Sequence, residues 1–242
     1  MDAPLLATLS LGFGLGLRHA LDADHLVAIC AMTGSDREQS VWRSSRVGAL
    51  WGLGHTASLF VAALAVIVLR VSISPPVAQS LELAVGLMLM VLGADLLRRV
   101  VRGELRIHSH EHEHDGAPHA HLHLHTHPVA ADHVHHGVGR RPFWVGAVHG
   151  LAGSAALTLF VLSTIVSPWL AVLYVVIFGV GTIAGMGIMS TLIGMPFALA
   201  SRRLSHYASR LQLAVGFGSF AFGVFYAWQV AATEPLFAGW LR

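Results

Sequence analysis

Five ionisable side chains stand within eight residues, Arg18-His19-Ala20-Leu21-Asp22-Ala23-Asp24-His25, inside the first long apolar stretch of the chain. A charged group at bilayer depth costs roughly 3 kcal/mol on insertion scales, so such groups normally face a cavity and mark an ion or substrate path. Two imidazoles and two carboxylates in that setting point to a divalent cation. Composition makes the stretch a membrane segment. The chain is 55% hydrophobic and only 12% charged, with a mean hydropathy of +0.65, far from an ordinary soluble domain.

Five further apolar windows follow the first, at residues 47–69, 77–97, 143–166, 169–200 and 211–232. Each is long enough to cross about 30 Å of hydrocarbon, which predicts an all-α polytopic membrane protein of six transmembrane helices. The window at 169–200 contains Gly179, Gly181, Gly185, Gly187, Gly194 and Pro196, and is expected to kink or break near its end. Every basic residue is arginine. Arg37, Arg43 and Arg46, then Arg98, Arg99, Arg102, Arg106, Arg140 and Arg141, then Arg202, Arg203 and Arg210 occupy alternate loops. By the positive-inside rule those loops are expected to be cytoplasmic and both termini outside, in the plasma (inner) membrane of a prokaryote. The pI near 9.2 then reflects topology, and no nucleic-acid partner is expected. A cleaved signal peptide is the competing reading of the first stretch, but no basic residue precedes it and it runs on to Met32. Cys30, the only cysteine, has no internal disulfide partner.

The chain also repeats itself. Leu81-Glu82-Leu83-Ala84-Val85-Gly86 returns as Leu211-Gln212-Leu213-Ala214-Val215-Gly216, Gly93 as Gly223, and His19-Ala20-Leu21 as His149-Gly150-Leu151, all 130 residues on. Three residues short of that offset, Gly52-Leu53-Gly54-His55-Thr56-Ala57 resembles Gly179-Val180-Gly181-Thr182-Ile183-Ala184. Three spans repeating as three spans invert the second copy, an arrangement that places a transport site between the halves. The expected organisation is a first three-helix repeat at 1–100, a His-rich segment at 101–141 and a second repeat at 142–242. Between residues 108 and 136 lie twelve of the seventeen histidines, with Glu111, Glu113, Asp115 and Asp132. Repeated His-x-His spacing there reads as a disordered cytoplasmic loop that buffers or senses metal, its bland alternative being a solvated linker.

On a regular helix of about 100° per residue, His19, Asp22 and His25 cluster and Asp24 falls on another side. Either other spans complete the ligand set or the helix unwinds locally. Arg18, four residues before Asp22, is placed to pair with it and to leave Asp24 the freer carboxylate. His55, between glycines that admit a neighbouring helix, is the natural next ligand. His149 lacks nearby carboxylates and serves equally well as a helix-to-helix hydrogen-bond donor. No Asp or Glu occurs between Asp132 and Glu234, so the second half offers at most His149 and hydroxyls such as Ser154 and Thr182. Met186, Met189 and Met195 read as packing, and Glu82 as an interfacial residue or cation attractor.

His19-x4-Asp24-His25 within the octad resembles the signature of the nickel/cobalt transporter family, and Leu53-Gly54-His55-Thr56 resembles its second motif. Six spans with a His-rich centre are similar to its shorter branch, which includes urease-accessory nickel permeases and nickel/cobalt efflux proteins. The further acidic motifs of longer members are missing from the second half. The resemblance implies permeation of nickel or cobalt, with His19, Asp22, Asp24, His25 and His55 as recognition residues and His149 as an open sixth. It implies cargo metal rather than a permanent cofactor. Import is favoured over efflux by the likeness to the urease-accessory branch. A metallochaperone or accessory subunit is the protein partner such a permease leaves room for, and no oligomeric state is implied. Two other classes compete: a membrane-embedded metalloenzyme, which would need a general base near the metal, and a metal-sensing accessory subunit anchored by its helices. There is no Gly-x4-Gly-Lys-Ser/Thr loop, so coupling to a nucleotide is not expected.

Overall fold

The computed structural model describes residues 3–35, 40–69, 74–105, 108–114, 117–123, 139–152, 167–203 and 205–233. Seven helices occur among them: α1 (Ala3–His19), α2 (Ala23–Gly34), α3 (Val41–Leu69), α4 (Pro75–Val101), α5 (Arg141–Ala152), α6 (Pro168–Arg203) and α7 (Ser205–Thr233). Four stretches are long and apolar enough to cross a membrane: Val41–Ile67, Pro75–Val101, Pro168–Leu199 and Tyr207–Ala232. They correspond to four of the six expected spans. The first expected span is instead two helices, α1 and α2, parted at residues 20–22. At ~1.5 Å per residue α1 rises about 25 Å and α2 about 18 Å, so neither alone crosses a typical core. Of the window at 143–166 only the part within α5 is described, and residues 153–166 lie outside the described residues.

The break after α1 has a local cause. The amides of Leu21 and Asp22 bond the carbonyls of Arg18 and His19 at 2.8 and 3.1 Å, tightening the last turn from i−4 to i−3 pairing. Asp22 then turns extended, at φ −62° and ψ 145°, in the position preceding α2 where Asp is favoured. Its carboxylate makes no bond to the α2 amides.

The expected interruption of the 169–200 window does not occur, since α6 runs unbroken with Pro196 inside it. Its glycines serve packing. A side chain at Gly181 would strike the Phe13 carbonyl, one at Gly185 the Ala20 methyl, and one at Gly194 the Ser44 side chain. Between helices in lipid, where apolar burial gives little drive, such close backbone approach is a main source of association.

The close approaches come in reciprocal pairs. Gly54 sits against the Phe143 carbonyl as Gly181 sits against that of Phe13, and Gly16 meets the Phe178 carbonyl as Gly146 meets that of Trp51. Phe13 and Phe143, like Gly16 and Gly146, are 130 residues apart, while Gly54 and Gly181, like Trp51 and Phe178, are 127 apart. Helix α1 therefore packs on α6 as α5 packs on α3, while α3 pairs with α6 and α4 with α7. Interhelical hydrogen bonds add to these seams. Ser219 Oγ donates to the Leu89 carbonyl at 3.1 Å, and Gln212 Nε2 donates to the Gly34 carbonyl at the end of α2 at 3.0 Å.

Helix α4 ends where Gly103 adopts φ 71°, a left-handed value that glycine takes without a Cβ penalty. The amides of Gly103 and Glu104 return to the Val100 and Arg99 carbonyls, each at 3.0 Å. Asp95 joins this end to the start of α5, accepting from Arg99 at 3.1 Å and from Arg141 at 2.9 Å. The two flanks of the His-rich segment are thus tied together. Within that segment, where disorder is expected, β1 (His108–His114) and β2 (Ala117–His123) pair antiparallel, with His108 opposite His123, His110 opposite His121 and His112 opposite His119. The alternating His-x-His pattern has the two-residue period of a strand, and this accounts for the pairing. Residues 124–138 lie outside the described residues.

Replacing Gly54 or Gly181 by Ile should destabilise the helix pairs by about 1–3 kcal/mol, a typical overpacking cost. Melting of the detergent-solubilised protein should fall for both variants and hold for Gly218→Ala, where nothing lies within 4 Å of an added Cβ.

Candidate metal centre

Ending α1 at His19 and restarting the chain as α2 turns the octad into a corner, and the corner faces α3 and α5. His25 is 1% exposed and His55 and His149 are fully buried. Their rings and that of His19 form one cluster. Centroids are 4.4 Å apart for His19 and His25, 5.2 Å for His25 and His55, 4.3 Å for His25 and His149, and 5.9 Å for His55 and His149. Both routes foreseen for the octad are taken, since the helix unwinds and other helices add ligands. Trp51, fully buried, lies 5.3 Å from the His25 ring and 5.5 Å from that of His149. Phe178, its counterpart 127 residues on, lies 5.6 Å from His19. These aromatic walls keep water from one flank of the cluster and from the other.

The carboxylates set the direction of the imidazoles. His19 Nδ1 donates to Asp22 Oδ2 at 2.7 Å, and His25 Nδ1 donates to Asp24 Oδ1 at 3.0 Å. An ionised carboxylate only accepts, so each facing nitrogen carries the proton and each Nε2 keeps its lone pair, which in His19 accepts from His55 Nε2. This carboxylate–imidazole pairing raises ligand basicity and fixes ring orientation in metal sites. His25 Nε2 is buried without a hydrogen-bond partner, as is His55 Nδ1. His19 Nε2 and His55 Nε2 face each other at 3.3 Å. Two nitrogens bound to one ion at ~2.1 Å stand about 3.0 Å apart at a right angle and about 3.4 Å apart at the tetrahedral angle. The observed spacing matches a shared ion.

Asp24 differs from its expected role. The carboxylate is not free but bridged: Oδ1 accepts from the His25 ring and from the His25 amide at 3.0 Å, and Oδ2 accepts from His149 Nε2 at 2.9 Å. Asp22, half exposed, pairs with His19 rather than with Arg18. A tight turn places His19 and Asp22 against each other before any arginine can reach the carboxylate.

Among the described residues two three-residue groups can hold a metal ion, His19–His25–His55 and Asp24–His25–His149, the ligand atoms of each lying within 4.8 Å of one another. Because His25 belongs to both, two dications would stand on the order of 5 Å apart and repel by roughly 13 kcal/mol at an effective dielectric of ~20. The buried carboxylate of Asp24 alone would not offset that, so the cluster has room for at most one ion at a time. All six residues singled out in the sequence meet here. Trp51 was not among them, because an aromatic residue in an apolar span carries no signal of its own beside a ligand. Ser154 lies outside the described residues, Thr182 is buried and donates to the Phe178 carbonyl at 2.9 Å, and Met186 is packed in the core.

Residues 5–206 match the family described as high-affinity nickel-transport protein. The chain belongs to this family. It is also 37% identical to the urease accessory protein UreH of Bacillus sp. (strain TB-90), over 98% of both chains. No solved structure matches it significantly. As a member of a nickel-transport family the chain is a multi-pass membrane transporter and not an enzyme, and the metal is its cargo, with no permanent cofactor.

Cobalt bound to the purified protein should give a one-to-one complex that His25→Ala abolishes and His19→Ala weakens, read by equilibrium dialysis. Asp22→Asn, which removes only the orienting carboxylate, should weaken binding about 10–100-fold. Protons compete for the same imidazole lone pairs, so affinity should fall on acidification.

Proposed function

We propose that the protein imports nickel or cobalt across the plasma membrane of a prokaryotic cell, recognising the ion through His19, Asp22, Asp24, His25, His55 and His149. The observation that carries this reading is the convergence of the His19, His25 and His55 rings, two of them oriented by carboxylates, in a buried cluster within an apolar bundle. A hydrated dication gives up water for imidazole nitrogen there and recovers water on release. Neutral imidazoles suit nickel and cobalt better than magnesium or calcium, which prefer oxygen. Import rather than efflux is favoured because the UreH relative is named as accessory to urease, a role that requires metal to be supplied.

The arrangement is six crossings as an inverted pair of three, residues 1–100 and 142–242, with the segment at 101–141 between them. Support comes from the reciprocal glycine contacts, which relate α1 on α6 to α5 on α3 as a twofold axis would. Both termini then lie outside, and the arginine-rich loops and the His-rich segment lie in the cytoplasm. That segment buffers the arriving ion or passes it to a metallochaperone or accessory subunit. Energy comes from an ion gradient, the membrane potential or such a partner.

Radioactive nickel accumulation in cells expressing the chain tests the reading, against His19→Ala and a form lacking residues 106–138 at matched membrane abundance. A severalfold rise that His19→Ala removes is the expected result. A His19-dependent fall would make the protein an exporter, and no change with either nickel or cobalt would overturn the reading.

A further inference from the structure

His19 and His149 occupy equivalent positions in the two halves, 130 residues apart, yet they face different partners around one shared ring. His19 Nε2 lies toward His55, and His149 Nε2 lies toward Asp24. His25 stands between them, 4.4 Å from the first ring and 4.3 Å from the second. The first three-residue group is drawn wholly from the first half of the chain, on α1, α2 and α3. The second draws Asp24 and His25 from α2 and His149 from α5, so it spans both halves.

At the edge of the cluster the Asp22 side chain is 50% exposed, Asp24 14% and His19 11%, while His55 and His149 are not exposed at all. His149 Nδ1 is buried with no hydrogen-bond partner, although a buried imidazole used only to brace two helices would ordinarily have both nitrogens satisfied. Nδ1 therefore has room for a proton, and when it carries one the Nε2 that now donates to Asp24 can offer its lone pair to an ion instead.

We propose that the cluster is two stations for one ion, occupied in succession: His19–His25–His55, then Asp24–His25–His149, with His25 common to both. The proposal rests on the transport reading and assigns His149 a direct part in it. At the first station the ion meets imidazole nitrogens from one half only. Passing to the second station, it exchanges His19 and His55 for the Asp24 carboxylate and His149 Nε2, whose proton shifts to the unpartnered Nδ1 as the His149–Asp24 hydrogen bond breaks. The second station holds the ion only while α5 stays against α2, which ties release to the relative position of the halves. A shared ligand keeps the ion bound throughout the exchange, so it is never left bare between stations.

Cobalt absorption and proteoliposome transport on the full-length protein test this together. His149→Ala should still give one cobalt per chain and the visible band of the first station, losing far less affinity than His19→Ala, while cobalt transport falls at least tenfold. That retained band also shows that the variant is folded. His55→Ala should move the ion to the second station, giving weaker binding with a shifted band, and adding His149→Ala should remove that band. His149→Gln, which keeps a donor for Asp24 but lacks an imidazole, should transport as poorly as His149→Ala. Transport restored by glutamine would make His149 a positioning residue and overturn the proposal. So would a loss of equilibrium binding in His149→Ala as large as in His19→Ala, which would mean a single site. Should the unaltered protein move no cobalt or nickel, the transport reading fails, while the band shifts still decide whether two stations exist.

Discussion

Hydrogen bonding of imidazole to carboxylate inside an apolar bundle is the interaction on which the rest of this structure depends. A lone Asp at this depth would be costly, and a lone His would have no fixed direction. Joined, each satisfies the other, and the proton on Nδ1 leaves Nε2 available. Asp22 does this for His19 and Asp24 for His25. The geometry requires a corner in the chain, because on a continuous helix Asp24 would point away from His19. The 20–22 break supplies it, and α1 and α2 are short for that reason.

The surrounding helices are arranged to reach this corner closely. Gly150 lies against the His55 carbonyl and Gly146 against that of Trp51, so α5 approaches α3 nearly backbone to backbone and His149 enters the cluster between them. On the opposite side Gly181 and Gly185 bring α6 against the end of α1. Small residues therefore act at one remove, by letting imidazoles from four helices share one small volume. The Asp95 ion pairs with Arg99 and Arg141 hold the α4–α5 end of the bundle, away from the cluster, and join the two ends of the His-rich segment.

The second half is an unequal copy. It preserves the packing relations of the first, glycine for glycine, but it has lost the chemistry, with Thr182 where the first half has His55 and Phe178 where it has Trp51. Only His149 persists as a polar counterpart in the cluster. Its hydrogen bond to Asp24 links the two halves at this centre. On the proposed reading, an asymmetric site between related halves would give an ion different partners on its two sides.

The sequence by itself determined that the chain is an apolar helical bundle, because span length and composition answer to bilayer thickness and little else. It also marked His19, Asp22, Asp24, His25 and His55, because ionisable groups in such spans are too costly to be incidental, and its glycine spacing carried the reciprocal packing of the helix pairs. It did not reveal that Asp22 would choose His19 over Arg18, since that depends on a three-residue turn that periodicity reads as helix. Nor did it show α6 running through Pro196, which neighbouring helices tolerate and local propensity opposes. His149 was undecidable for the same reason. With no carboxylate near it in sequence it looks like a packing residue, and only the approach of α5 to α2 and α3 brings Asp24 within 2.9 Å of it. Contacts between residues far apart in the chain are set by how helices pack, and that is a property of the assembled bundle.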